Sequence, residues 1–498
     1  MNYGKLKSGT DVRGVAVGDR SPVTLTNEAV EAIVKAFAKR LFVQTGKTRL
    51  KIAVGNDSRI SAERVKNAVT RALLKSGCDV VYTGLSSTPS MFILLKKSDF
   101  GCDASVMITA SHLPYDRNGL KFFTPDGGLD GCDVDEILGM ANRGESLEGE
   151  GRYEEKSFMD EYSRILVKTV EDASGILPLK GKKIIVDAGN GAGGFFAEKV
   201  LVPLGANVDG SQFLEPDGRF PNHIPNPEDK DAIDSLSRAV VREKADLGII
   251  FDTDVDRAAC VDADGSEINR NALIALCSAI LLKDKKGVIV TDSVTSDGLA
   301  HFIEKLGGKH LRYMRGYKNV IDKCVELNNA GEYSPLAIET SGHAAFKENY
   351  YLDDGAYLIT KILICLASQS RKGESLTSLI ADLERPAESD EVRISFNESS
   401  ADFKKEGARV IEELKELAES DKNATLAPDN YEGVRINVES GLFLLRMSVH
   451  EPVMPLNFGS AKRGGVKETA KILYDILKDY SFLNTQSLYK LITEQGEF

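Results

Sequence analysis

Residues 50–84 read LKIAVGNDSRISAERVKNAVTRALLKSGCDVVYTG, and the fold class follows from that stretch. An apolar run, LKIAVGND, gives way to a helical stretch that opens at Ser61, a residue type suited to capping, and carries Arg64 and Val65 inside; a second apolar run, CDVVYTG, closes it. Strand, helix, strand is a βαβ unit, because parallel neighbours in a sheet need a crossover between them. Upstream, a helical stretch from Asn27 to Phe42 leads into the first strand.

The rhythm returns twice. KKIIVDAGNGAG (182–193) precedes a helix expected around Phe196 to Leu201, and ADLGIIFDTDVDR (245–257) supplies the next strand; GVIVTDSVTSDGLAHFIEKLG (287–307) begins a third unit. Polar stretches near Gly144 to Gly151 and Asp262 to Glu267 read as the joints. After about Glu384 the pattern changes to alternating strands (EVRISFN, VRINVES, GLFLLRMSV) with helices at Ala401 to Ser420 and Ala461 to Tyr480, an α+β unit. The expected division is 1–155, 156–264, 265–385 and 386–498: three α/β mixed-sheet domains, then an α+β domain. The last stretch, SFLNTQSLYKLITEQGEF, reads either as a docked helix or as a tail.

A chain of 498 residues exceeds what one core supports, and 42% hydrophobic with 28% charged residues is ordinary globular usage. The net charge of −12, with no Lys/Arg-rich run, argues against a nucleic-acid partner and requires a site for a phosphorylated metabolite to gather its cations locally. Seven scattered cysteines without a CxxC pair fit neither a disulfide framework nor a zinc site. No apolar run is long enough to span a bilayer, and the start resembles no signal or transit segment. The expected location is cytoplasmic, without membrane partners; a processed organellar form, as in the plastid stroma, would read the same. The oligomeric state is not readable.

Two segments carry chemistry. In ASVMITASHLPYDRNGLKFF (104–123) an apolar strand ends at Thr109-Ala110-Ser111-His112. A serine at a strand end is placed for nucleophilic work, although a lone Ser-His pair more often caps a turn. Lys121, ten residues on, would neutralise phosphate or relay a proton if the intervening turn folds back. In LGIIFDTDVDR, Asp252, Asp254 and Asp256 are spaced by two with Arg257 next; in an extended segment that spacing sends three hard oxygen ligands to one side, which suits Mg²⁺. An EF-hand is excluded, since Arg257 and Ala263 stand where that loop needs Gly and Glu. Phe251-Asp252-Thr253-Asp254 also reads as a haloacid-dehalogenase-type aspartyl nucleophile, with Asp353-Asp354 downstream, which would leave Ser111 without a task.

Taken together and in order, these segments resemble the α-D-phosphohexomutase family, whose serine loop reads TASHNP…NGxK and whose metal loop reads DxDxDR. The resemblance runs through SGTDVRG (8–14), GNDSR (55–59), DAGNGAGG (187–194), PDGRFPNHIPNPE (216–228), GYK (316–318) and ETSGH (339–343). It implies four domains around a central cleft, a phosphoserine at Ser111, and Mg²⁺ held by Asp252, Asp254, Asp256 and a phosphoserine oxygen. Arg257 would lie beside that phosphate, with Lys121 as acid–base and Arg13 a weaker candidate. Lys318, Glu339, Ser341 and His343 fall where the family contacts the sugar. The implied reaction interconverts hexose 1- and 6-phosphates, with hexose 1,6-bisphosphate as intermediate and activator.

The chain departs from the family at 446–452, where R-x-S-G-T-E-P becomes Arg446-Met447-Ser448-Val449-His450-Glu451-Pro452, and at Leu113, commonly Asn. A β-branched Val449 resists left-handed φ, and His450 would replace the threonine donor. Arg446, Ser448 and His450 are the expected phosphate-binding set. The altered loop leaves the sugar open among glucose, mannose and glucosamine phosphates, with a hexose-1,6-bisphosphate synthase as the alternative on the same scaffold and a non-catalytic family member as the minority reading.

Overall fold

The two strands read at 50–84 are neighbours inside the first sheet. In the computed structural model, which describes residues 2–97, 99–397, 402–448 and 451–493, Leu50–Asn56 and Cys78–Leu85 run parallel with Leu50 opposite Cys78, joined by the helix Ala62–Lys75. Ala104–Ile108 lies parallel on the other side of Leu50–Asn56. Arg117–Thr124 then turns back antiparallel to it, and Asp11–Val15 pairs with that strand in turn. Ile52, Val54, Val106 and Ile108 face a core shared with Ile33, Phe37, Val65 and Val69 of the helices Asn27–Thr45 and Ala62–Lys75. Ser61 precedes the second helix as expected but does not cap it: its Oγ accepts from Asn118 Nδ2 at 2.9 Å.

The second sheet carries Ile184–Asp187 parallel to Leu247–Phe251, followed by Ala258–Asp262 and Glu267–Ile268, both antiparallel to their neighbours. The stretch Asp262 to Glu267 includes the turn between these last two strands, closed by Gly265 N–H on Asp262 O at 2.9 Å. The helix expected near Phe196 to Leu201 is a π turn, Ala197–Leu201, in which Val202 N–H reaches back five residues to Ala197 O at 3.1 Å.

Farther on, Val288–Asp292 is flanked by parallel Lys309–Tyr313 and Leu336–Ile338. The last sheet is antiparallel, in the order Ala424–Leu426, Val434–Val438, Gly441–Leu445, Val453–Ser460, Glu388–Phe396, Leu483–Asn484. Its inward residues Ile394, Val434, Ile436 and Phe458 share a core with Val410 and Leu414 of the helix Phe403–Ser420 and Leu473 and Leu477 of Gly465–Leu477. Within the C-terminal stretch Gln486–Thr493 is a docked helix, with Leu488 buried in the same core and the Tyr489 ring 5.4 Å from that of Tyr474; residues 494–498 lie outside the described residues. The chain thus follows the expected class, mixed α/β sheets with an α+β unit at the C-terminal end.

Two compact units contain these elements: Met1–Leu273 with Ser341–Ser378, and Ile274–Thr340 with Leu379–Phe498. Among the described residues no helix is long and apolar enough to cross a membrane.

Candidate active site

The strand Ala104–Ile108 delivers Ser111 into the interior of the first unit, where it is buried. Ser111 has φ 51°, a left-handed conformation that costs a residue with a Cβ about 1–2 kcal/mol, so its surroundings must hold it there. Its N–H donates to Thr109 Oγ1 at 2.9 Å. Its Oγ donates to Asp252 Oδ2 at 2.9 Å, accepts from Arg257 Nη2 at 3.3 Å and lies 3.3 Å from His112 Nδ1. The turn after Ser111 does fold back: Arg117–Thr124 returns beside Ala104–Ile108 with Lys121 opposite Met107. Only glycine fits at 119, where a Cβ would come within 2.4 Å of Val12 O and 2.7 Å of Thr109 O.

Asp252, Asp254 and Asp256 converge, but by a route different from strand alternation. The chain turns after Phe251: Val255 adopts φ 68°, its N–H reaches Asp252 O at 3.3 Å, and Asp252 N–H reaches Arg257 O at 3.3 Å. All three carboxylates are buried, with ligand atoms within 4.8 Å of one another. Asp254 Oδ2 accepts from Thr88 Oγ1 and lies 3.5 Å from Lys121 Nζ, which also donates to Asp256 Oδ2 at 2.5 Å. Asp254 Oδ1 and Asp256 Oδ1, fully buried, have no hydrogen-bond partner among the described residues. Burial, and then the neighbouring Asp256 and Asp254 carboxylates, push the Asp252 carboxyl well above its ordinary range. Buried carboxylate oxygens without donors are costly unless a cation meets them, and an all-oxygen set of this kind fits a hard divalent ion.

Arg257 ties the loop together. Its Nε donates to Asp252 Oδ2 at 3.2 Å and its Nη1 to Asn226 Oδ1 at 3.1 Å, with Glu228 3.8 Å away. His343 pairs in a β-bridge with Arg257, bonds through Nδ1 to Asp353 Oδ2 and lies 4.0 Å from Asp256 Oδ1. Burial disfavours charge on its ring, but the Asp353 and Asp256 carboxylates outweigh burial and raise its pKa to about 9. Asp354, the other acid of the aspartyl-nucleophile alternative, caps the helix Gly355–Lys372 and accepts from Tyr162 OH at 2.7 Å.

Ser111, Lys121, Arg257, Asp252, Asp254, Asp256 and His343 therefore meet within the first unit. Arg13 stands on Asp11–Val15 opposite Gly119, and its guanidinium grips Asp11 Oδ2 at 2.7 Å. Ser341 is buried at the start of the segment that carries His343. The remaining expected residues belong to the second unit. Glu339 Oε1 accepts from Gly316 N–H at 2.6 Å; Lys318 pairs with Asp322 one helical turn on; Arg446 Nη1 contacts Glu432 Oε1 at 3.4 Å while its Nε has no hydrogen-bond partner among the described residues. Ser448 Oγ accepts from Glu451 N–H at 3.3 Å. His450, with Val449, lies outside the described residues.

Sequence reasoning gave no role to Thr88, Asn226, Asp353 paired to His343, or Glu432. Asn226 lies inside the quoted stretch PDGRFPNHIPNPE, which was the available signal; Thr88 and Glu432 carry no local pattern that marks them.

Residues 5–147, 160–265 and 269–386 match, in order, domains I, II and III of the phosphoglucomutase/phosphomannomutase family, each described as alpha/beta/alpha. A phosphoglucomutase of Neisseria meningitidis is 30% identical over 465 residues, covering 92% of this chain and 93% of its own. A phosphomannomutase/phosphoglucomutase of Pseudomonas putida is 30% identical, covering 90% of each chain. The crystal structure of a phosphoglucomutase/phosphomannomutase family protein from Burkholderia thailandensis superposes with a TM-score of 0.81 at 26% identity, covering 96% of this chain and 98% of that one. With three family domains matched in order along most of its length, the chain belongs to the α-D-phosphohexomutase family of intramolecular phosphotransferases.

Proposed function

We propose that this chain interconverts hexose 1-phosphates and hexose 6-phosphates, glucose first and then mannose or glucosamine, by way of a phosphate carried on Ser111. Hexose 1,6-bisphosphate would be both the intermediate and the activator. The observation that carries this reading is Ser111 Oγ, 2.9 Å from Asp252 Oδ2 and 3.3 Å from Arg257 Nη2, beside two buried carboxylate oxygens that lack donors among the described residues. The relatives named phosphoglucomutase and phosphomannomutase support the choice of sugars. The division at 1–155, 156–264, 265–385 and 386–498 belongs to the same proposal, as does a cytoplasmic location.

Mg²⁺ held by Asp252, Asp254, Asp256 and a phosphoserine oxygen would supply Lewis-acid neutralisation of the phosphoryl charge. In the first half-reaction a sugar hydroxyl attacks the phosphorus, its O–P bond forms, and the P–Oγ bond to Ser111 breaks. The hydroxyl proton ends on Ser111 Oγ, with Lys121 as the relay. Arg257, as a fixed cation at the transferring group, stabilises the in-line transition state without reorganising. The bisphosphate then presents its other phosphate, Ser111 Oγ takes that phosphoryl group, and the proton returns to the sugar oxygen. His343, Glu339, Ser341 and Lys318 would hold the sugar; Arg446, Ser448 and His450 would grip the phosphate not being transferred; Arg13 would add positive charge near Lys121.

Intact-mass and peptide analysis after incubation with glucose 1,6-bisphosphate tests this, together with an activity panel over glucose, mannose and glucosamine 1-phosphates. Phosphate on Ser111, resistant to hydroxylamine, is expected. Phosphate on Asp252 with none on Ser111 would sink the mechanism, and bisphosphate released without monophosphate isomerisation would identify a bisphosphate synthase instead.

A further inference from the structure

Two motifs, GNDSR and PDGRFPNHIPNPE, are not accounted for by the phosphoryl-transfer chemistry above, and they meet at Arg59. This side chain is fully buried in the first unit, yet it reaches neither the carboxylate cluster nor a surface. Its guanidinium instead collects the backbone carbonyls of the nucleophile loop. Nη1 donates to Pro114 O at 2.7 Å and Arg117 O at 2.9 Å, while Nη2 donates to Leu113 O at 2.6 Å and to Ser111 O itself. Four carbonyls of one loop thus converge on one planar cation, an arrangement that the fixed fork of a guanidinium can serve and a single ammonium cannot.

An ion pair and two hydrogen bonds close the loop from the other side. Asp57 Oδ2 lies 3.3 Å from Arg59 Nε and accepts from Thr109 Oγ1 at 2.6 Å; Thr109 Oγ1 in turn accepts the Ser111 N–H at 2.9 Å. Ser111 is therefore held at its amide through Thr109 and Asp57, and at its carbonyl by Arg59. Those two groups flank the left-handed φ that the serine would not choose unaided. The loop 216–228 covers the clamp: the Phe220 ring lies 5.3 Å from the guanidinium. Gly218 packs so tightly on the GNDSR backbone that a Cβ there would come within 2.5 Å of Arg59 Cα.

We propose that Arg59 is a positioning residue for phosphoryl transfer, acting through Asp57, Thr109 and the loop carbonyls to aim Ser111 Oγ at the Asp252–Arg257 pair. This rests on the reading of Ser111 as the phosphate carrier. An in-line displacement is sensitive to displacements of about an ångström, so loosening the clamp slows transfer without removing any group that contacts the sugar.

The test uses the full chain, phosphorylated with glucose 1,6-bisphosphate and mixed with glucose 6-phosphate, the transfer rate being normalised to measured phosphoserine so that unfolded protein does not count. Arg59→Lys is expected to slow single-turnover transfer at least roughly 30-fold while KM changes less than about threefold. A merely structural role predicts a lower denaturation midpoint with the wild-type rate per phosphorylated molecule, and that result overturns the proposal. Should Arg59→Lys fail to fold, Thr109→Val carries the test, since it keeps the side-chain shape and removes only the bridging hydroxyl. A loss of about 10-fold supports the clamp, and a wild-type rate overturns it. Wild-type protein without phosphate on Ser111 overturns both readings, whereas phosphate on Ser111 with undiminished transfer in the variants overturns the role of Arg59 alone.

Discussion

Ser111 Oγ donates a hydrogen bond to Asp252 Oδ2 at 2.9 Å across 141 residues of sequence. The two residues end neighbouring features of different sheets, and the same Asp252 oxygen also accepts from Arg257 Nε at 3.2 Å. The hydroxyl is thus held between a carboxyl and a guanidinium that already contact each other, so the site is built before any substrate arrives.

Ser111→Ala is expected to abolish covalent phosphorylation and to lower mutase turnover at least roughly 10³-fold. The fold should survive, because Asp252 retains its bonds to the Arg257 backbone and Nε. Intact mass and a urea midpoint measured on one preparation check both halves; residual phosphate in the variant would contradict the assignment.

Mg²⁺ should stabilise the protein independently of turnover, because the folded chain gathers carboxylates that the unfolded chain does not. At a hundredfold excess over Kd the gain is about 2.7 kcal/mol, read as a rise in thermal midpoint. Asp254→Asn should remove most of that rise, and EDTA should reverse it in the wild type. A midpoint indifferent to Mg²⁺ would argue against a metal at this loop.

Arg446→Ala removes a buried guanidinium that Glu432 already orients. Loss of a charge-assisted contact worth about 1.5–3 kcal/mol raises KM for the hexose phosphate roughly 10- to 150-fold. Phosphorylation of Ser111 at saturating bisphosphate should change far less, since Arg446 belongs to the second unit. Equal losses in both assays would contradict that division of labour.

Two histidines give opposite pH dependences of stability. Burial disfavours charge on His223, but Asp187, bonded to Nε2 at 3.0 Å, outweighs it and raises the pKa. Its contribution is present below the ordinary value near 6.5 and is lost as pH rises through the higher folded value. His310 is pushed well below 6.5 by burial and then by Arg312 and Arg435, so its contribution is present above 6.5 and declines as pH falls. Denaturant titrations should therefore show His223→Gln losing its disadvantage at alkaline pH and His310→Gln losing its disadvantage at acid pH. Parallel pH profiles for the two variants would contradict this assignment.

Much of the site could be read from residue patterns because its parts sit at strand ends, where an apolar run stops at a polar group. Ser111 after SVMI and Asp252 after LGIIF are of that kind. The convergence of Asp252, Asp254 and Asp256 was anticipated for the wrong geometric reason: alternation along a strand was expected, and a turn at Val255 does the work. Ser61 had the identity of a cap but spends its hydroxyl on Asn118, a partner 57 residues away that local propensity cannot see. The partners of Arg59, Thr88 and Asn226 are equally distant in sequence, a loop carbonyl, a carboxylate and the Arg257 guanidinium, so their neighbours in the chain do not show what they bind.

The first unit is discontinuous, with residues 274–340 interposed before Ser341–Ser378 returns to it. Order of synthesis therefore separates the parts of the centre. Ser111 and the three aspartates leave the ribosome early, whereas His343 and Asp353 follow only after the interposed segment, a delay on the order of 10 s at roughly 5–20 residues per second. Until then Lys121 and Arg257 are the cations that meet the three carboxylates, and the His343–Asp353 pair is still to come. Maturation of the centre is thereby coupled to completion of the segment that interrupts it.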